Sequence, residues 1–172
     1  MRGLLSFGLA GGLDPVLRSG DLLVPERVLS SAGSWQADPT LRHALGPGHA
    51  APVFGGGTVL ATAAAKRDLH ARTGAAAVDL ESAAVAGAAQ HHGLPFAVLR
   101  AVCDPASRDL PPAALVALDG GGRIGALRVF GAVAARPQEI PALLALGVDA
   151  ARARRALAAR VRRLRPGPAA SC

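Results

Sequence analysis

Tyrosine is absent from this chain of 172 residues, and Trp and Met occur once each. With aromatics at only 3%, the core has to be filled by Ala, Leu and Val. The two cysteines, Cys103 and Cys172, have no metal-ligand spacing and are too few for a disulfide framework, so the cytoplasm is the expected compartment and no metal is expected. No apolar run approaches the roughly 20 residues of a membrane span, which excludes an integral membrane segment at the level of sequence. A single Arg followed at once by glycine makes a poor signal peptide. Acidic residues are missing from one place. None follows Asp149, whereas Arg152, Arg154, Arg155, Arg160, Arg162, Arg163 and Arg165 crowd that tail. Residues 1–149 hold twelve basic and twelve acidic side chains, so the net charge of +7 belongs to the tail alone. A basic stripe can attract nucleic acid or an anionic surface. No aromatics interleave these arginines for base stacking, and the stripe reads as the solvated face of a terminal helix, with no nucleic-acid partner.

What the chain does contain is organised around Ala77–Ala106, AVDLESAAVAGAAQHHGLPFAVLRAVCDPA. Ala75 to Leu80 is a short apolar run and predicts a strand. Glu81 opens a helix that Gly93-Leu94-Pro95 closes, and Pro95 to Val102 predicts a second strand ending at Cys103-Asp104-Pro105. Parallel α/β sheets place working side chains where strands end and loops begin. Glu81 and Asp104 are therefore expected to face one crevice. Arg100 falls on the strand face shared with Asp104 if side chains repeat every two residues, and is expected to orient or ionise that carboxylate.

Around this unit, Gly3–Leu9 predicts a strand running into an Ala10-Gly11-Gly12 turn, whose glycines let the backbone approach a ligand closely. Gly20–Leu29 predicts another strand, interrupted by Pro25. Ser30–Ala51 reads as a long loop, a lid or an interface, with Trp35 either a buried plug or a substrate or subunit contact. Thr58–Thr62 predicts a strand and Ala63–Thr73 a helix ended by Gly74, with Lys66, Arg67 and His70 on its exposed face. His91-His92 closes the helix begun near Glu81, where cationic groups suit the helix dipole. Asp104–Pro112 reads as a loop and Pro112–Leu118 as a short helix. Three further helices are predicted over Ile124–Ala135, Pro137–Leu146 and Asp149–Leu164. One domain over 1–165 and a disordered tail over 166–172 complete the reading.

Three strings together resemble the nucleoside phosphorylase and nucleosidase superfamily: SFGLAGGLDPVLRSGDLLV (6–24), AAVDLESAAVA (76–86) and VLRAVCDPA (98–106). Leu80 stands where the family's VDMES motif has Met, and Cys103 where its R-x-x-SD motif has Ser. SRDLPPAAL and ARPQEIPALLALGVDAARARRAL look most like the hopanoid-biosynthesis-associated branch. The resemblance implies a three-layer αβα domain with a mixed, largely parallel sheet. Family members carry a further strand and loop before the first string. Only five residues precede Ser6 here, so the resemblance implies a domain lacking its N-terminal leader.

What the family implies for chemistry is cleavage of the N-glycosidic bond of a purine nucleoside. By resemblance, Asp104 protonates the ring nitrogen as the base leaves and Glu81 binds the ribose hydroxyls. Ala10 and Gly11 line the site through their backbone, Leu80 packs under the sugar, and Cys103 replaces a hydroxyl with a weaker donor. The expected activity is phosphorolysis of an adenine nucleoside, with an adenosyl-hopanoid as substrate, inorganic phosphate as co-substrate, no cofactor, and a homo-oligomeric state. Two alternatives stay open. One is a nucleosidase of the methylthioadenosine/S-adenosylhomocysteine type that uses water, and the other is a truncated, non-catalytic nucleoside-binding protein. The chemistry is coherent without the resemblance. Breaking the bond builds positive charge on the sugar and negative charge on the base, which one carboxylate and one carboxylic acid can balance.

Overall fold

The computed structural model describes residues 3–56, 59–112, 114 and 137–164. Among these residues the strands form one mixed sheet of seven, in the order β2-β7-β1-β6-β5-β3-β4. Its members are β1 (Leu4–Gly12), β2 (Leu22–Leu23), β3 (Arg27–Ser30), β4 (Gly33–Gln36), β5 (Val53–Gly55), β6 (Ala77–Asp79) and β7 (Phe96–Asp104). The helices are α1 (Pro39–Leu45), α2 (Ala63–Thr73), α3 (Ser82–His91) and α4 (Ile140–Arg163). The longest ladder is parallel: β1 follows β7 from Leu4 opposite Phe96 to Ala10 opposite Val102. β5 is parallel to both β3 and β6, while β1–β6, β2–β7 and β3–β4 are antiparallel.

Helices cover both faces, which makes three layers. One face carries Phe96 and Val98 against Ala86 and Ala89 of α3. The other carries Ala97, Leu99 and Ala101 against Leu45 of α1 and Ala153 and Leu157 of α4. Leu69 of α2 joins that second side through Leu13 and Ala75. β7 is buried at all nine positions but Cys103, which is half-buried. A strand covered on both sides reads as the continuous apolar run seen in the sequence. The core uses small side chains throughout, and Ala75, Ala77, Ala86, Ala89, Ala97, Ala101 and Ala153 are all at 1% exposure or less.

The Ala63–Thr73 helix has the bounds read from the sequence. Thr62 caps it by accepting from the Ala65 N–H, and Gly74 ends it in the left-handed region at φ 67°. Elsewhere the structure corrects the expectations. Ala10-Gly11-Gly12 is not a turn but the end of β1, where Gly11 and Gly12 pair with Val78 and Ala77. Gly20–Leu29 is two short strands, β2 and β3, because Pro25 has no N–H to continue a ladder. Ser30–Ala51 is no open loop but contains β4 and α1, the latter capped by Asp38 accepting from Leu41. Trp35 lies half-buried against the α3 side of the core, its Nε1 donating to Gln90 Oε1 at 2.6 Å. The strand placed at Thr58–Thr62 is instead β5, with residues 59–62 irregular and 57–58 outside the described residues. Pro137–Leu146 and Asp149–Leu164 are one helix, α4, running through Gly147 after a 3₁₀ turn at Pro137–Glu139. Most of Pro112–Leu118, all of Ile124–Ala135 and the 166–172 tail lie outside the described residues. Among those described, no helix is long and apolar enough to cross a membrane.

Gly55 sets how closely α3 approaches the sheet. A Cβ there would stand 2.5 Å from the Ala83 amide nitrogen and 3.1 Å from Val28 Cγ1. Backbone cannot yield as a flexible side chain can. The expected outcome of Gly55→Ala is a loss of about 1 to 3 kcal/mol, read as a lower urea midpoint. An unchanged midpoint would show that α3 does not sit against this strand.

Candidate functional site

The site grows from an irregularity in the β1–β7 ladder. Ala10 pairs with Val102 but Gly11 pairs with Asp104, so β7 carries one extra residue at Cys103. A bulge of this kind interrupts the two-residue alternation of side chains. Arg100 and Val102 share the face of Gly8 and Ala10, on the α3 side. Asp104 shares the face of Gly11, on the opposite side. The expectation that Arg100 lies beside Asp104 is therefore overturned by one inserted residue.

Arg100 serves other carboxylates. Its guanidinium is 1% exposed, and its Nε donates to Asp79 Oδ2 at 2.8 Å. Its Nη2 donates to Ser6 Oγ at 2.6 Å, to Ser82 Oγ at 3.1 Å and to Glu81 Oε2 at 3.1 Å. Gly8 makes room, since a Cβ there would stand 2.2 Å from Nη1. Asp79 turns the strand into the helix: Oδ1 accepts from the Glu81 and Ser82 N–H groups at 2.9 and 2.7 Å, and Oδ2 also accepts from Ser82 Oγ. Two of the donors left open at the start of α3 are thereby satisfied. Glu81 itself makes no side-chain cap. It leans out with 69% of its side chain exposed, held through Arg100.

Asp104 has a different partner. Lys66 was expected on the exposed face of α2, but it is 1% exposed and its Nζ donates to Asp104 Oδ2 at 2.5 Å. The same Nζ donates to the carbonyls of Pro105 and Arg108 at 3.1 and 2.8 Å. His70, expected on that exposed face too, is half-buried, with Nδ1 donating to the Ala75 carbonyl. A buried ammonium needs such a complete set of acceptors. The start of α2 is tied to the same loop, with Ala63 N–H donating to Asp109 Oδ1 and Leu110 N–H to the Ala61 carbonyl. Burial raises the Asp104 carboxyl above its ordinary value, with the Lys66 ammonium pulling the other way. Its Oδ1 is buried and without a hydrogen-bond partner. Cys103 is pushed up to about 11, by burial first and by Asp104 second, so its thiol is neutral at neutral pH.

These groups meet at a cavity of about 330 Å³ at the ends of β1, β6 and β7. Of the residues singled out in the sequence, Ala10, Gly11, Leu80, Glu81, Cys103 and Asp104 all line it. Arg100 does not; it lines a neighbouring groove with Glu81, Phe7 and Val85. Lys66 and Asp79 line the cavity and were not anticipated. Asp79 lies inside the VDLES string, and a carboxylate three residues before Ser82 is the spacing of a helix-start cap. Nothing in the local pattern of α2 marks Lys66, since Arg67 beside it is exposed. Among the described residues no group of three or more His, Cys, Asp and Glu could hold a metal ion.

A sequence model of the phosphorylase superfamily matches residues 32–121, just over half of the chain. No curated protein matches. Solved structures do. 5′-Methylthioadenosine/S-adenosylhomocysteine nucleosidase from Campylobacter jejuni superposes with TM-score 0.58 at 23% identity, over 62% of this chain and 58% of that one. A futalosine hydrolase mutant from Helicobacter pylori gives 0.58 at 22% identity, over 63% and 60%. The methylthioadenosine/S-adenosylhomocysteine nucleosidase of Colwellia psychrerythraea, solved with adenine, gives 0.56 at 22%, over 61% and 55%. The chain thus spans less than two thirds of the length of these structures, and the likeness is one of fold.

The two carboxylates that Arg100 touches differ in burial, which ranks their contributions. Removing one partner of a fully buried pair costs about 3 to 5 kcal/mol, whereas an exposed pair contributes about 0 to 1. Asp79→Ala is expected to fall in the first range and Glu81→Gln in the second, measured by chemical denaturation. Equal losses would contradict the ranking.

Proposed function

From the premise that the chain belongs to the phosphorylase superfamily, we propose that the 330 Å³ cavity binds an adenine nucleoside and that its N-glycosidic bond is cleaved there by water. The observation that carries this reading is the pairing, on one cavity wall, of a buried carboxyl raised toward its acid form with an outward-leaning carboxylate braced by a guanidinium. In the cleavage, Asp104 gives a proton to a ring nitrogen of the departing base. Glu81 accepts hydrogen bonds from the ribose hydroxyls, with Arg100 as its brace. Leu80 and the Ala10-Gly11 backbone form the floor, and the neutral Cys103 thiol lies beside the acid without adding charge.

Water is favoured over phosphate because the solved structures named above are of nucleosidases and a hydrolase. That replaces phosphorolysis as the main reading, and with it inorganic phosphate as co-substrate. The hopanoid substrate draws no support from these structures. Incubation with 5′-methylthioadenosine in phosphate-free buffer, followed by chromatography, tests the choice: adenine and the free sugar are expected. Turnover only on adding phosphate would restore phosphorolysis.

Two variants test the roles. Positioned acid catalysis contributes about 10² to 10⁴-fold, and Asp104→Asn is expected to lower kcat by that order. The acid form is the working form, so kcat falls as pH rises through the raised pKa of Asp104, and Asp104→Asn removes this alkaline limb. A limb that survives in Asp104→Asn would assign the acid elsewhere. Charge-assisted hydrogen bonds contribute about 1.5 to 3 kcal/mol. Glu81→Gln is therefore expected to hurt ribosides more than 2′-deoxyribosides, and equal losses would leave Glu81 a helix-start residue only.

A further inference from the structure

We propose that Lys66 is the positioning residue of this site, and that it determines which oxygen of Asp104 carries the proton delivered to the base. The proposal rests on the reading of Asp104 as the acid and names what makes it one. An ammonium can only donate. All three of its N–H groups are committed, to Asp104 Oδ2 and to the carbonyls of Pro105 and Arg108. Oδ2 must therefore act as an acceptor, and a proton resident on Asp104 sits on Oδ1. Oδ1 is the oxygen without a partner in a residue only 5% exposed that lines the cavity.

An unpaired oxygen so deeply buried costs free energy, and a ligand that accepts its proton relieves that cost. The two carbonyls extend the same control to the backbone. By gripping Pro105 and Arg108, Lys66 fixes the loop that leaves β7, so Asp104 cannot swivel to exchange its two oxygens. Cleavage then proceeds in a fixed sense. The electron pair of the breaking bond passes to the base, the Oδ1 proton moves to the ring nitrogen, and Asp104 becomes a carboxylate facing the Lys66 ammonium. Water adds its hydroxyl to the sugar carbon, and its other proton restores the acid. Among the described residues, the other charged or titratable groups near Asp104 include Arg108 on the same loop, Asp149 on α4, Cys103 on β7, and Asp79 and Glu81 across the cavity. Arg108 is paired with Asp149, and its pull on Asp104 is weaker than that of Lys66.

The experiment uses the full chain with ¹³C-labelled aspartate, the Asp104 carboxyl resonance being assigned by its disappearance in Asp104→Asn. In Lys66→Met the titration midpoint of Asp104 is expected to move to higher pH, because burial then loses its main opposition. With 5′-methylthioadenosine, kcat is expected to fall about 10- to 100-fold with little change in KM, the loss typical of a hydrogen bond to a charged group. The alkaline limb should move with the NMR midpoint. A lysine that merely supports the fold would lower activity without moving either. If Lys66→Met does not fold, Lys66→Arg keeps the charge but not the three-way grip, and is expected to lower kcat while leaving the limb near its wild-type position. An unmoved midpoint in Lys66→Met, or full activity in Lys66→Arg, overturns the proposal. Adenine separates the two readings. If it leaves the Asp104 resonance of the wild-type chain unshifted, Asp104 is not the acid. If it shifts that resonance equally in wild type and Lys66→Met, the acid stands and the role of Lys66 falls.

Discussion

A guanidinium at 1% exposure in the middle of a β-sheet imposes order on everything that touches it. Arg100 projects from β7 among apolar neighbours, and its charge is tolerable there only because Asp79, Ser6, Ser82 and Glu81 converge on it. Those partners come from three places in the chain: Ser6 from β1, Asp79 from the end of β6, and Glu81 and Ser82 from the start of α3. Satisfying one charge therefore fixes the register of three elements, and Gly8 has no side chain because the guanidinium occupies that space. The brace on Glu81 follows from this arrangement. Its carboxylate reaches solvent, yet one oxygen is anchored to a group that cannot move.

The bulge at Cys103 gives the site its division of labour. Without the extra residue, Arg100 and Asp104 would lie on one face, and the guanidinium would stabilise the ionised form of both carboxylates. With it, Asp104 turns to the opposite face, where a single lysine and a largely apolar wall surround it. Within one cavity Glu81 and Asp104 thus occupy different electrostatic surroundings, one solvent-facing and guanidinium-braced, the other buried and held by an ammonium at one oxygen only. Separating environments in this way is how a fold assigns different protonation roles to chemically identical groups.

The parts of this arrangement that were legible in the sequence are those written in contiguous residues. The strand–helix–strand unit, the bounds of α2 and the meeting of Glu81 with Asp104 all follow from short-range pattern, since caps and apolar periods act over a few residues. The features that short-range pattern does not reveal share another cause. Strand alternation puts Arg100 beside Asp104 only in a regular ladder, and a bulge is visible only when both strands are in register. The burial of Lys66 is invisible locally because its acceptors lie 38, 39 and 42 residues further along the chain. Gly147 marks a break in α4 at the level of sequence because glycine is a poor helix former, but packing against β7 through Ala153 and Leu157 carries the helix through. β4 and α1 were hidden in a polar stretch whose apolar residues are too sparse to show a period.

The long-range character of Lys66 also explains how the Asp104 carboxyl can be both buried and oriented. A carboxyl presented by its own strand alone is free to rotate about its last bond, and a raised pKa obtained by burial says nothing about where the proton sits. Orientation has to come from another element. α2 supplies it, and α2 is in turn fastened at its first turn to the loop that follows Asp104, through Ala63 and Asp109 and through Leu110 and Ala61. Helix, lysine, aspartate and loop close into one ring of interactions, so the helix cannot shift without releasing the lysine, nor the loop without releasing Asp104. The Asp104 side of the cavity borrows its stiffness from that ring, whereas the Glu81 side borrows it from Arg100. Each carboxylate is thus held by a cation from a different layer of the fold, and the bulge between them keeps the two holds from merging.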